Sequence, residues 1–277
     1  VEGKRLKIIG NNTVDISKFV DIDLSDFGIK GFVNSEILMH ILEENPKQED
    51  LIEALKNKAE KTIFAPNIIS IEDFVQDVAQ IQTIDNVELL FEFYKIYTDL
   101  TKTSNIQSFE IFANWGKILL QDFNEIDRYL LEPKRVFSYL TDVEVLKRWN
   151  LEPEERTKMI DSTIDFWNKL PVYYKNLQTH LLSKSIGYQG LIYKQAVKNM
   201  VSYADKLEED SIVFAGFNAL NQAEERIFQY FLQNKKALVY WDIDRVFLND
   251  NFHDAGLFVR KFKNKWPFYK DNNFEWI

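Results

Sequence analysis

The chain has no cysteine in 277 residues. That excludes disulfides, thiolate metal sites and cysteine nucleophiles together, and it fits a reducing, cytoplasmic setting. Glycine (9) and proline (6) are scarce. Few backbone breakers among many Leu, Ile, Phe, Lys and Glu favour long helices over a turn-rich all-β fold. No apolar run approaches the roughly 18 residues a membrane-spanning helix needs. No basic segment followed by an apolar one opens the chain, so no signal peptide is read. Positive charge is also short, with a formal net charge of −9. Nonspecific nucleic-acid binding depends on Lys and Arg neutralising phosphates, so the overall balance opposes strong DNA binding by the chain alone. Aromatics, by contrast, are abundant: 22 Phe, 12 Tyr and 6 Trp supply a sizeable core. The chain starts at Val1 and ends on Trp276-Ile277, which reads as a cut through a longer polypeptide.

Residues 4–9 read as a strand, and Asn11-Asn12 as a turn. Helices are expected over 35–44 and 48–60, then a short apolar strand over 62–65. Ser70 and Asp73 have capping-box spacing ahead of Phe74, Val78 and Ile81. Val87, Leu90, Phe91, Tyr94 and Tyr97 mark one helix face. Phe109, Phe112, Leu119, Phe123, Ile126 and Leu130 mark a longer one. Thr141 and Glu144 form a second capping box. Pro153 opens a further helix, carrying Met159, Ile160, Phe166, Trp167 and Leu170, which Pro171 should kink or restart. Another helix is expected from Leu191 to Leu207. Strands return only at 211–214 and 237–241, around a helix at 221–234. The fold class expected is therefore α/β, mostly α: a small, mostly parallel sheet with a large helical insertion between its strands.

The motifs with chemical meaning are few. No Walker A loop or Rossmann fingerprint occurs, and Gly10 after the first strand reads as a turn. Asp242 and Asp244 in YWDID point to one face if on a strand. They could share a divalent metal near His253 and Asp254, or serve only to cap and solvate a strand end. Glu2-Gly3-Lys4 and Glu132-Pro133-Lys134 match the Glu-x-Lys of restriction-like nucleases, a pattern short enough to arise by chance. The histidines, His40, His180 and His253, are too scattered for a helical metal pair. Arg260, Lys261, Lys263 and Lys265 interleave with Phe262 and Trp266, the composition of a phosphate-tracking, base-stacking strip. The other reading is a solvated helix face with Phe262 and Trp266 turned inward at i, i+4.

Five segments carry a resemblance: KTIFAPNIISIEDF, LLQDFNEIDRYLLEPKRVFSYL, GYQGLIYKQAV, IVFAGFNALNQAEERIFQYFLQNKKALVYWDID and HDAGLFVRKFKNKWP. In this order they resemble the N-terminal part of AddB-type proteins, the PD-(D/E)XK nuclease family of the AddAB/RecBCD class, from Lys61 to Ile277. The resemblance implies a superfamily 1 helicase-like sheet in which Ala215 and Gly216 stand where a working motor carries its acidic pair. It implies a helical subdomain over about 86–207, and a nuclease domain, with its Mg²⁺, outside this chain. The function implied is a non-catalytic DNA-binding scaffold in double-strand-break repair, with no cofactor of its own. The partners implied are DNA ends or single strands and an AddA-like helicase subunit, with no membrane. Residues 1–60 depart from the family pattern and stand as an atypical N-terminal segment. Two rival readings remain: a helical protein-interaction module that binds no DNA, and a metal-dependent nuclease using Asp242 and Asp244.

Overall fold

The computed structural model describes residues 7–10, 67–140, 158–207, 212–241 and 243–274. The elements expected over 35–44, 48–60 and 62–65, the Thr141–Glu144 box and Pro153 lie outside these residues. The described residues belong to two compact units. One draws on Val1–Val78 and Asn199–Ile277, the other is Ala79–Lys198.

The first unit is built on a four-stranded sheet in the order β2-β1-β5-β6. Its strands are β1 (Lys7–Gly10), β2 (Asn67–Ser70), β5 (Ile212–Phe217) and β6 (Ala237–Trp241). Every pairing is parallel, with Lys7 opposite both Asn67 and Ile212, and Ile212 opposite Ala237. Residue type accounts for the positions of the last two strands. All six residues of β5 are buried, as a central strand covered on both faces requires. In β6 burial alternates, which suits an edge. Gly216 sits in β5 at φ 78°, where the register against β6 slips between Ala215 and Phe217. A residue with a Cβ is strained at that φ, so glycine allows the bulge.

Helix α1 (Ile71–Ala79) follows β2 directly. Ser70 Oγ accepts the N–H of Asp73 at 3.1 Å, the cap its sequence foretells. Helix α6 (Gln222–Gln233) is closed by a full capping box between Asn221 and Glu224. Phe74 packs edge-on against Phe214 and Phe231, and Phe214 stacks on Phe228 at 3.8 Å between centroids. Helices α7 (Arg245–Asn249) and α8 (Leu257–Lys265) follow β6. Phe262 stacks on Trp241 at 5.1 Å, and Trp266 meets the same indole edge-on.

The second unit is helical, with α2 (Asn86–Leu100), α3 (Phe109–Arg128), α4 (Lys158–Ser183) and the start of α5 (Gln189–Ala204). Residues 133–140 are also helical. Asp85 caps α2 by accepting the Val87 N–H at 2.8 Å. Phe93, fully buried, touches the rings of Phe112, Phe123 and Tyr173. Two expectations need correction here. The inward face of α2 is Leu89, Leu90, Phe93, Ile96 and Tyr97, while Val87 and Phe91 are exposed. Phe91 instead stacks on Phe109 at 4.6 Å. And Pro171 lies inside α4 without restarting it. Leu170, Tyr173, Tyr174, Leu177 and Leu181 are all buried on that helix, and their packing outweighs the backbone bond that proline removes. Strands β3 (Gln82–Thr83) and β4 (Ile186–Gly187) form a separate parallel pair at the ends of this unit.

Candidate functional site

Among the described residues of the helical unit, ionisable side chains gather at two places. The first centres on Asp127 of α3, which is 1% exposed. Four donors reach its carboxylate: Tyr174 Oη, Gln178 Nε2 at 2.5 Å, Tyr188 Oη at 2.5 Å and Lys194 Nζ at 2.8 Å. They come from α4, the β4–α5 junction and α5, so one carboxylate ties three segments to α3. Lys194 also donates to the Tyr174 oxygen at 2.7 Å. A tyrosine acting as a base needs a lowered pKa. Here burial first, and the Asp127 charge second, push both Tyr174 and Tyr188 up. They stay neutral donors, and the cluster works as a buried lock.

The second centres on Glu92 of α2, 5% exposed. It accepts from Lys95 at 2.8 Å and Lys184 at 2.8 Å, and pairs with His180 at 2.5 Å. Hydrogen bonds from Lys184 and Lys95 lead in holding its carboxyl at about 2, against an ordinary 4.5. Neither centre was foreseen. The available signal was a carboxylate on an apolar stripe: Leu89, Glu92, Phe93 and Ile96 share one face, as do Phe123, Ile126 and Asp127.

The residues singled out by sequence do not converge. Ala215 and Gly216 lie within β5 at its bulge, buried at the sheet centre. Asp244 caps α7, accepting the Val246 N–H at 2.8 Å. Asp242 lies outside the described residues. Among the described residues, no three His, Asp or Glu side chains are grouped so as to hold a metal ion. Arg260 is engaged internally, donating to the carbonyls of Phe247 at 2.5 Å and His253 at 2.6 Å. Trp266 is 2% exposed, and its indole N–H donates to Glu225 at 3.0 Å. The placement of Phe262 and Trp266 is that of the inward-facing i, i+4 pair, because both pack on Trp241. Lys261, Lys263 and Lys265 are exposed, with Lys263 Nζ lying 5.4 Å from the Phe274 ring centroid. No helix among the described residues is long and apolar enough to cross a membrane.

No family model matches the chain. Part of it is similar to DNA-directed RNA polymerase β subunits. That of Clostridium novyi is 35% identical over 97 residues, covering 32% of this chain and 8% of the relative. That of Acetivibrio thermocellus is 40% identical over 83 residues, covering 29% and 6%. That of Clostridioides difficile is 32% identical over 78 residues, covering 28% and 6%. The chain thus spans less than a tenth of the length of these curated relatives. These similarities overturn the AddB-type assignment, which rested on the order of aromatic and apolar segments without a diagnostic motif. Strand–helix–strand strings of that kind recur wherever an α/β core must be filled. With the assignment go the DNA-repair scaffold, the exonuclease parentage and the AddA-like partner.

Proposed function

We propose that this chain serves as a structural part of a DNA-directed RNA polymerase assembly, through a segment related to the β subunit. The observation that carries this is the recurrence of polymerase β subunits among the relatives, at 32–40% identity over 78–97 residues. The similarity accounts for at most 32% of the chain in these three, so the reading attaches to a minority of its residues. DNA enters as a partner through the assembly, and a cytoplasmic location belongs to the same reading.

The geometry supports a structural role for the described part. Asp127 and Glu92 are engaged by side chains of their own unit, and we assign them to folding rather than to chemistry. Fold class decides nothing further, since parallel α/β sheets host unrelated functions. The test mixes the purified full chain with purified clostridial RNA polymerase, followed by size-exclusion chromatography and transcription from a promoter template. Co-elution with the enzyme together with a changed transcript yield is the expected result. Separate elution at low salt, with transcription unaltered, removes the proposal.

A further inference from the structure

Phe252 is 95% exposed, an unusual position for a phenylalanine in a folded unit. It is not on a loose segment. Asp250 Oδ1 accepts its N–H at 2.9 Å. The next residue, His253, caps the following turn by accepting the Ala255 N–H at 3.2 Å. Arg260 of α8 reaches back to the carbonyls of Phe247 and His253, one on each side of Phe252, at 2.5 and 2.6 Å. The rings of Phe247 and His253 lie 4.3 Å apart. Gly256 makes room for this brace, since a Cβ there would lie 2.1 Å from Arg260 Nη1 and 2.3 Å from the Phe247 oxygen. Leu248, 5% exposed, anchors the segment below. A large apolar side chain is therefore held out from a fixed turn, with the ordering entropy of the backbone that carries it already spent in folding.

The same stretch exposes Val246 (69%), Leu257 (52%) and Phe258 (44%). Charge selects the occupant. Asp250 and Asp254, both exposed, stand two residues to either side of Phe252, and no Lys or Arg lies between them. Arg245 and Lys261 lie farther along the chain, and Arg260 is committed to the two carbonyls. Carboxylates beside the aromatic oppose nucleic-acid phosphates and anionic headgroups. They oppose an identical acidic face as well. Positive charge around an apolar cavity complements them.

We propose that Phe252 is the anchor of a protein-docking surface, entering an apolar pocket of a partner protein whose rim carries Lys or Arg opposite Asp250 and Asp254. The proposal does not depend on the polymerase reading, and a partner outside that assembly leaves it intact. To test it, benzoylphenylalanine replaces Phe252 in the full chain, expressed in the cell that makes it. After irradiation, the cross-linked peptide is identified by mass spectrometry. The purified partner is then titrated by calorimetry against the wild type, Phe252→Ala, and an Asp250→Asn, Asp254→Asn double variant. Asparagine can still accept the turn's N–H, so the double variant removes charge and keeps the brace.

The expected adduct lines an apolar pocket with basic residues at its rim. Phe252→Ala should weaken binding at least about 30-fold, with an unchanged Tm because the ring makes no core contact. The double variant should bind more weakly and with a flatter salt dependence. An adduct to nucleic acid, lipid, a second copy of the chain or an acidic surface overturns the proposal. So does the absence of any adduct, or binding by Phe252→Ala within twofold of wild type.

Discussion

Glu92 occupies a place where α2 would ordinarily put an apolar side chain. Its burial is tolerated because three cationic or ionisable partners, Lys95, His180 and Lys184, converge on its two oxygens. Removing it tests how much that convergence contributes. The folded carboxyl titrates near 2, against an ordinary 4.5. A depressed carboxylate pKa stabilises the fold fully above the unfolded value, and the contribution is lost as pH falls through the folded one. Glu92→Gln should therefore destabilise by about 1–3 kcal/mol at neutral pH, the lower part of the range reflecting lysine partners that remain open to solvent. The difference in Tm between wild type and variant should be flat above about pH 5 and should close between about 4.5 and 2. A gap that ignores pH across that window would show that the lysines contribute nothing. In sequence, the anomaly itself was legible: an acid at i+3 from Leu89 and i−4 from Ile96. Its partners were not, because His180 and Lys184 stand 88 and 92 residues away.

Elements with a strong period could be read directly. Most of the α3 stripe follows from spacing alone, although Leu130 lies past the helix end at Arg128. The apolar run expected over 211–214 covers the first part of β5, which continues to Phe217. Ser70 does cap α1 as its position suggests. Weaker features escaped for physical reasons. Strands β3 and β4 have two residues each, too short to show alternation. Pro171 carries a local cost, whereas the buried residues around and after it, Leu170, Tyr173, Tyr174, Leu177 and Leu181, keep α4 continuous through it. Gly190 escaped as well, since its role is close approach rather than a turn. Its N–H donates to Asn124 Oδ1 at 2.7 Å, and a Cβ would fall 2.1 Å from the Asn124 carbonyl oxygen. That obstacle is backbone of α3 and cannot rotate away. Gly190→Ala should thus force α5 off α3 and destabilise by about 1–3 kcal/mol, as overpacking does. A fall in Tm of at least about 3 °C by calorimetry is the expected reading. An unchanged Tm would mean that the α3–α5 contact is loose enough to absorb a methyl group.

At the scale of the whole chain, the alternation of a parallel sheet with a helical insertion was legible, because β-rich runs at both ends flank a long stretch with helical period. Function was not legible from the same residues. Aromatic spacing specifies how a core is filled, and many proteins fill one alike. Gln82 pairs with Ile186 and Thr83 with Gly187, so the segment between them leaves and returns at neighbouring strands. Two backbone bonds extend the junction, from Gln82 N to Ser185 O at 3.0 Å and from Ile84 N to Gly187 O at 3.1 Å. Around that junction, Ala79–Lys198 supplies the Phe93-centred core, the Asp127 lock and the Glu92 cluster from within itself, with Tyr188 and Lys194 of the lock lying just past Gly187. A segment with joined ends and its own core meets the physical definition of an inserted domain. Residues 79–198 expressed alone should be helical by circular dichroism and melt in one cooperative transition, and Asp127→Ala should lower that transition sharply by leaving Lys194 and two buried tyrosines without their acceptor. A fragment with helical signal but no cooperative melt, unaffected by Asp127→Ala, would show that the lock forms only when the rest of the chain is present.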